Sequence, residues 1–309
     1  MTDILTGLMQ ETISGVALGC IYALIALGFT LIYKATEVVN FSQGEIMMVG
    51  AYMHFFFLNQ FVALTGGLNA WVFLLAFIGS VIFAVLFGII LDFIINRPLK
   101  GEPVFSIIMA TISLAIILRS LTAMLAGPLS LIPISPFGDH TFILGGVVIS
   151  ILDISIIFSA IIMMSIFYYF FNYTKWGISM KATSTDSEAA QLLGIPVNKV
   201  YRYVWIFASV VGVLSGIMLA PRMALIDTSM AFLGLKAFPA AILGGFGSIK
   251  GAIVGGIILG IIETVSLGTL SFYFPWIKEI NDIIGWIVLI GVLMIRPYVL
   301  FGMAKVKRV

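Results

Sequence analysis

The polar residues best placed to act on a solute or on a helix end lie in one short stretch, residues 35–47, which read ATEVVNFSQGEIM. The stretch separates two strongly apolar runs. Five polar side chains fall within nine positions there: Glu37, Asn40, Ser42, Gln43 and Glu45. Such carboxylate, hydroxyl and amide groups can cap a helix, face water in a turn or line the path of a polar solute. The residue types alone leave these three roles open.

Ser42 and Glu45 have the S-x-x-E spacing of a capping box, in which each side chain accepts a hydrogen bond from the other residue's backbone N–H. We therefore expect them to cap the helix of the second apolar run, with a place on a transport path as the alternative role. The cap does not require Asn40 or Gln43, which are candidates for an inner-face turn or for the path. Free N–H groups at such a helix start also suit a passing carboxylate.

The G-x-x-x-G spacing, which allows membrane helices to approach closely, occurs twice in the last third of the chain. The two pairs are Gly251/Gly255 and Gly256/Gly260. We favour tight packing within this chain over an interface with a second membrane subunit.

Lys236 and Pro239 interrupt the apolar segment that precedes these glycines, and Glu263 lies inside the segment that follows. Ionisable groups at membrane depth are costly and usually face a cavity or a partner. Lys236 is therefore a further candidate for the substrate path. Paired interrupted segments point to a transport route in secondary transporters, and 35–47 and 234–250 form such a pair here.

The longest polar stretch, residues 172–200, contains a short amphipathic segment at 186–195, DSEAAQLLGI. Asp186 or Ser187 is a suitable N-cap, and Gly194 with Pro196 supplies the stop. Two roles fit the spacing equally well: a loop helix tucked against its own chain, or a docking helix for a soluble partner.

The elements that hold these residues are membrane helices. The 309 residues are 61% hydrophobic and 10% charged, with a mean hydropathy of +1.18, against about 25% charged in soluble domains. Runs of about 20 apolar residues predict an all-α, polytopic transmembrane bundle. The predicted spans are 12–33, 40–61, 71–95, 104–125, 144–171, 201–221, 227–247, 251–270 and 282–300. The doubtful one is 227–247, so we expect eight to nine spans with broken or re-entrant segments.

The positive-inside rule orients the spans. Nine crossings place twelve of the sixteen Lys and Arg residues on one side, which we predict to be cytoplasmic, with the C-terminal tail inside and the N-terminus outside. The twelve are Lys34, Arg97, Lys100, Lys175, Lys181, Lys199, Arg202, Lys250, Arg296, Lys305, Lys307 and Arg308. Omitting 227–247 as a crossing would divide them between the two sides.

Several function classes are excluded by the sequence. The net charge of +2 and the lack of a basic cluster argue against nucleic-acid binding. The P-loop, H-E-x-x-H and G-x-S-x-G motifs are missing, so neither nucleotide binding by a P-loop nor enzymatic activity is expected. The lone Cys20 and the two isolated histidines, His54 and His140, make a metal site improbable, and no cofactor is expected in this chain.

Glu188-Ala189-Ala190 followed by Gly194 resembles the EAA loop of ABC-importer permeases, where a coupling helix docks into the ATPase subunit. Three longer stretches extend the resemblance over nearly the whole chain: GFTLIYKATEVVNFSQGEIMMVGAYM, KWGISMKATSTDSEAAQLLGIPVNKV and FPAAILGGFGSIKGAIVGGIILGIIE. Together they are similar to the branched-chain amino acid permease family, and to its shorter, H-type member in particular.

The resemblance implies a type II ABC-importer-like permease forming one transmembrane domain over residues 1–309, with a cytoplasmic coupling loop at about 172–200. It also implies a multi-pass protein of the bacterial inner membrane. The expected partners are a second homologous permease, two ATP-binding cassette subunits and an external substrate-binding protein. The expected cargo is a branched-chain or other hydrophobic amino acid.

Three alternatives stay open. A urea or short-amide permease of the same family would share all of these motifs. An ion-coupled secondary transporter would bury coupling carboxylates, for which Glu263, Asp153 and Asp92 are the candidates. A purely structural membrane subunit would not need a broken helix that carries Lys236.

Overall fold

The structure is a computed structural model that describes residues 2–99, 101–127, 129–134 and 140–295. Its first half contains α1 (Thr2–Thr36), α2 (Gln43–Thr65), α3 (Ala70–Leu91), which continues as the π-helical turn π1 (Asp92–Asn96), and α4 (Val104–Ala126). A hairpin follows, formed by β1 (Thr141–Leu144) and β2 (Val147–Ser150). The remaining elements are α5 (Ile151–Tyr173), α6 (Lys175–Thr185), α7 (Ser187–Leu192), α8 (Val197–Met223), α9 (Met230–Gly244), α10 (Ile249–Val265), π2 (Ser266–Leu270), α11 (Ser271–Tyr273) and α12 (Ile277–Ile295).

The predicted class, an all-α multi-span protein, is confirmed. Within the described ranges, seven helices are long and apolar enough to cross a membrane. They are Leu5–Thr36, Gln43–Thr65, Ala70–Asn96, Val104–Ala126, Ile151–Tyr173, Val197–Met223 and Ile249–Tyr273. The doubtful span 227–247 contains α9, whose 15 residues rise only about 22 Å, against a hydrocarbon thickness of about 30 Å.

The last predicted span, 282–300, corresponds to α12 as far as Ile295. Its remaining residues, together with Lys100 and the basic residues from Arg296 onwards, lie outside the described residues. The positive-inside argument therefore stays a prediction.

The predicted start of the fifth span, at residue 144, is wrong. The chain there forms the antiparallel hairpin β1–β2, with Thr141 paired to Ser150 and Leu144 to Val147. Gly145 and Gly146 form the turn with φ of 59° and 87°, and two successive positive φ angles are the requirement of a tight hairpin turn. The apolar run continues through the hairpin, so hydropathy alone did not separate the strands from α5.

The chain divides into two compact units. Unit 1 consists of the described residues within Met1–Thr30, Asp139–Ile162 and Lys236–Val309. Unit 2 consists of those within Leu31–Gly138 and Met163–Leu235. Helices α1, α5 and α9 contribute residues to both units.

Glycines set the helix packing in unit 1. A Cβ added to Gly256 would lie 2.5 Å from the Cα of Ala23 in α1, and Gly260 meets the backbone of Gly19 in the same helix. The other two glycines of the G-x-x-x-G pairs face α9, with Gly255 against the Ala240 backbone and Gly251 against that of Gly244. The two motifs thus lie on two different packing faces of α10.

Unit 2 is centred on α2, α3 and α8. A Cβ on Gly50 of α2 would lie 2.5 Å from the Cα of Val213, and one on Gly88 of α3 would lie 2.6 Å from the Cα of Ile206. Both neighbours belong to α8. Ala84, Val213, Leu214 and Ile217 form a buried apolar cluster among these helices. The close contact between α2 and α8 holds the start of α2 beside α8. The polar residues of 35–47 lie at and just before this helix start.

We predict that Gly256→Ala lowers the apparent melting temperature of the purified protein. The new methyl group must displace the α1 backbone, and overpacking of this kind typically costs about 1–3 kcal/mol. The matched control is Gly291→Ala in α12, where an added Cβ meets nothing within 4 Å. Because alanine favours a helix over glycine, the control should leave the melting temperature unchanged or raise it. Equal melting temperatures for the two variants would contradict the packing described for α1 and α10.

Candidate functional site

The start of α2 is not held by the predicted capping box. Ser42 is the N-cap residue, with φ −83° and ψ 6°, and its side chain makes no capping hydrogen bond. Its backbone N–H and its hydroxyl both donate to Oδ1 of Asn40, at 3.1 and 2.7 Å. The Asn40 side chain takes both Ser42 donors, so the S-x-x-E interpretation of Ser42 and Glu45 is wrong.

Glu45 pairs with a cation from another helix instead. Its Oε1 accepts from Nη2 of Arg119 in α4 at 2.5 Å, and Glu45 is only 2% exposed. The Arg119 guanidinium also lies over the ring of Phe232, 4.1 Å from the ring centroid. A buried carboxylate gains more from a full opposite charge than from a backbone N–H, which explains why the cap does not form. Arg119 was missed as a site residue, although an arginine inside the apolar run 104–125 was a visible signal.

Gln43 is fully buried and joins α2 to α8. Its Nε2 donates to the backbone carbonyl of Ala208 at 3.1 Å. Its Oε1 has no hydrogen-bond partner among the described residues.

Several other buried polar atoms near the start of α2 and on α4 and α8 share this property. Within the ranges that the structure describes, they have no hydrogen-bond partner: Asn40 Nδ2, Glu45 Oε2, Arg119 Nε, Trp205 Nε1 and Ser209 Oγ. Leaving a buried donor or acceptor unpaired costs about 1–3 kcal/mol each, and native folds retain few such groups. Their concentration in one part of unit 2 marks a candidate site.

Two cavities of unit 2 lie along α2. The smaller, about 110 Å³, is lined by residues just before α2, among them Val38 and Asn40, and by Trp205 of α8. The larger, about 910 Å³, is lined by residues 49–60 of α2 with parts of α3 and α4, mostly apolar but including Tyr52 and Asn59. The larger volume lies within the range of small-molecule sites.

Lys236, in unit 1, is held by two carboxylates. Its Nζ lies 3.2 Å from Oε1 of Glu263 in α10 and 2.7 Å from Oδ1 of Asp282 in α12. Oε2 of Glu263 accepts from the Tyr22 hydroxyl at 2.8 Å. The positive charge of Lys236 in α9 is therefore compensated by two carboxylates. With the Tyr22 hydroxyl, the network joins α1, α9, α10 and α12.

Helix α7 lies within the polar stretch 172–200. Asp186 is its N-cap, and Oδ1 of Asp186 accepts from the backbone N–H groups of Glu188 and Ala189 at 3.0 and 2.9 Å. The short helix predicted at 186–195 is thereby confirmed, with Asp186 rather than Ser187 as the cap. It spans six residues, and Gly194 follows in the left-handed conformation with φ 84°.

The surface of α7 is almost entirely open. Ala190 is 3% exposed and is the buried contact of the helix with its own chain. Leu192 and Leu193, at its end, are 89% and 82% exposed, and Glu188 also faces out. Two exposed leucines beside an acidic residue form a small amphipathic surface available to a partner.

No group of three or more His, Cys, Asp or Glu side chains within the described ranges could hold a metal ion. His54 instead lies 3.1 Å from the hydroxyl of Ser80, through its Nδ1.

Comparison with known proteins gives these features a context. Residues 12–293 match the family model described as "Branched-chain amino acid transport system / permease component". The high-affinity branched-chain amino acid transport system permease protein LivH of Salmonella typhimurium is 30% identical over 97% of each chain, and that of Escherichia coli K12 is 29% identical over the same shares. The corresponding protein BraD of Pseudomonas aeruginosa is 30% identical over 97% of this chain and 98% of its own.

No solved structure matches the chain significantly. The family match extends from within α1 to within α12 and so covers nearly all of the described elements. The seven apolar helices agree with the multi-pass inner-membrane location expected of such a protein. The chain belongs to the permease component family of branched-chain amino acid transport systems.

Proposed function

We propose that this permease subunit serves an ATP-driven importer that carries branched-chain or other hydrophobic amino acids. The observation that supports this most strongly is the family match over residues 12–293, together with full-length relatives named as high-affinity branched-chain amino acid permeases. The mainly apolar lining of the larger cavity along α2 suits an aliphatic side chain.

Permeases of this family work with ATP-binding and substrate-binding proteins, and ATP hydrolysis takes place in the partners. In the proposed assembly, this chain pairs with a second homologous permease. Two ATP-binding cassette subunits bind on the cytoplasmic side, and an external binding protein delivers the amino acid. The chain itself needs no cofactor.

Helix α7 is the proposed coupling element for an ATPase subunit, with Glu188, Ala189, Ala190 and Gly194 as its coupling residues. Ala190 anchors the helix to its own chain, while Glu188, Leu192 and Leu193 face outwards. Gly194, in the left-handed conformation, lets the chain turn back directly into α8. Movement of the docked ATPase would thus reach α8, and α8 packs against α2.

The proposed substrate path follows the start of α2 in unit 2, at Asn40, Ser42, Gln43 and Glu45. Lys236, in unit 1, is a separate candidate. Asn40 and Gln43 each have a polar atom without a partner among the described residues, and this supports the proposal. An unsatisfied polar group destabilises a membrane protein, so a passing substrate is a reason to keep it. Glu45 and Lys236 already have ion partners, so they act by fixing the helices rather than by binding cargo directly. Alternating access would then follow from rocking of these helices during the ATPase cycle.

We predict ATP-dependent uptake of radiolabelled leucine into proteoliposomes that contain this chain, the second permease, the ATPases and the binding protein. Uptake should require ATP and should survive ionophores that abolish ion gradients, because the energy comes from ATP hydrolysis in the partners. Liposomes lacking the binding protein serve as the control. Uptake that needs no ATP and stops with the ionophore would rule out the ABC assignment.

We further predict that Glu188→Arg weakens ATPase association or substrate-stimulated ATP turnover while membrane insertion stays normal, since the substitution reverses the charge on the exposed face of α7. Glu102→Arg is the matched control, because it makes the same charge change on another exposed residue, in the turn before α4. Pull-down of the ATPase and a phosphate-release assay measure the effect. If both variants coupled normally, α7 would not be the docking element.

A further inference from the structure

The 110 Å³ pocket before α2 contains two buried hydrogen-bond donors that have no partner in the part of the chain that the structure describes. Asn40 is 1% exposed and Trp205 is 2% exposed, and both line the pocket. The Oδ1 of Asn40 is occupied by Ser42, which leaves its Nδ2 as the free end of the amide. Nε1 of Trp205 likewise has no partner among the described residues. The donors come from two separate elements, the segment before α2 and helix α8.

The two threonine hydroxyls of the pocket lining donate to carbonyl groups of the fold. The hydroxyl of Thr36 donates to the backbone carbonyl of Ile32 at 2.8 Å. That of Thr111 donates to the carbonyl of Ile108 at 2.9 Å. Asn40 and Trp205 thus each offer an N–H group that has no partner among the described residues, and a ligand that brings an acceptor would pair with both.

Charge favours an anionic acceptor. Among the described residues that line the pocket, none is aspartate or glutamate. Of the carboxylates nearby, Glu37 is exposed, and Asp92, which accepts from Asn96 of the lining, is paired with Arg97 and Arg202. The 23-residue helix α2 begins three residues after Asn40, and a helix N-terminus carries a partial positive charge. The rest of the lining is largely aliphatic, including Ile95, Leu99 and Ile107.

We infer that this pocket is a subsite for the carboxylate of the transported amino acid, with Asn40 Nδ2 and Trp205 Nε1 as its hydrogen-bond donors. The inference rests on the proposed function, because it places one end of that cargo. A volume of about 110 Å³ equals roughly four water molecules at about 30 Å³ each. It therefore holds the carboxylate end, and the rest of the amino acid extends out of the pocket.

The chain offers a direct probe of this pocket. Cys20 is its single cysteine and is buried, so Cys20→Ser gives a cysteine-free background. In that background, Leu99→Cys places a thiol in the pocket lining without removing either donor. Alkylation of this thiol by N-ethylmaleimide is followed by mass spectrometry in the full transporter, held in nanodiscs.

L-leucine and isovalerate, which both carry a carboxylate, should slow the alkylation. Isoamylamine, which has the same aliphatic chain and no carboxylate, should not.

Trp205→Phe removes Nε1 and keeps an aromatic ring. It should raise the half-protecting concentration of isovalerate about tenfold, the effect of losing one hydrogen bond to a charged group. Trp176→Phe, outside the pocket, is the matched control and should change nothing.

The carboxylate subsite would be overturned if isoamylamine protected the thiol as well as isovalerate does. It would also be overturned if Trp205→Phe and Trp176→Phe gave equal protection curves, and the pocket would then be one that holds water. ATP-driven leucine uptake by the Leu99→Cys protein is measured in parallel. If L-leucine and isovalerate fail to slow the alkylation while leucine uptake is intact, the subsite alone is rejected. If the unmodified transporter shows no leucine uptake, the proposed function is rejected.

Discussion

The structure depends above all on how polar groups are accommodated away from water. A charge or hydrogen-bonding group in the hydrocarbon must find a partner inside the protein, because the solvent supplies none. Glu45, buried at the start of α2, finds this partner in Arg119, which reaches it from α4 at 2.5 Å. Lys236 is held by Glu263 and Asp282 at the broken helix of unit 1. Removing one partner of such a pair typically costs about 3–5 kcal/mol, so these pairs fix the helices that carry them.

Charge pairing leaves a second group of polar atoms unexplained. Asn40, Gln43 and Trp205 are buried and each keeps one unpaired atom among the described residues. An aliphatic residue at each position would avoid the cost of desolvation, which supports the proposal that these side chains contact the transported cargo. Helix α2 links them to the larger cavity further along the same helix.

Hydropathy predicted most of the fold because a helix that crosses the membrane must be apolar over a fixed length. It failed at Gly145 and Gly146, where two positive φ angles make a hairpin inside an apolar run. Local spacing predicted the α7 cap correctly, since Asp186 has no competitor for the N–H groups that follow.

The same kind of spacing failed at Ser42 and Glu45. There the stronger partners were Asn40, two residues away, and Arg119, 74 residues along the chain. Trp205 was missed for a similar reason, because its free N–H matters only once α8 lies beside the segment before α2. Local motifs were thus reliable where no stronger partner competed for the same groups, and unreliable where one did, whether it lay two residues away or on another helix.

The central claim is that the buried ion pair between Glu45 and Arg119 is retained because transport needs the helix arrangement that this pair fixes. It is tested most directly by a double-mutant cycle on Glu45 and Arg119, with melting temperature and ATP-driven leucine uptake measured on the same proteins. We expect Arg119→Leu to lower the melting temperature, because Glu45 is left buried without its cation. The double variant Glu45→Gln/Arg119→Leu should recover the melting temperature but not the uptake. Wild-type uptake by the double variant, or an unchanged melting temperature for Arg119→Leu, would contradict the claim.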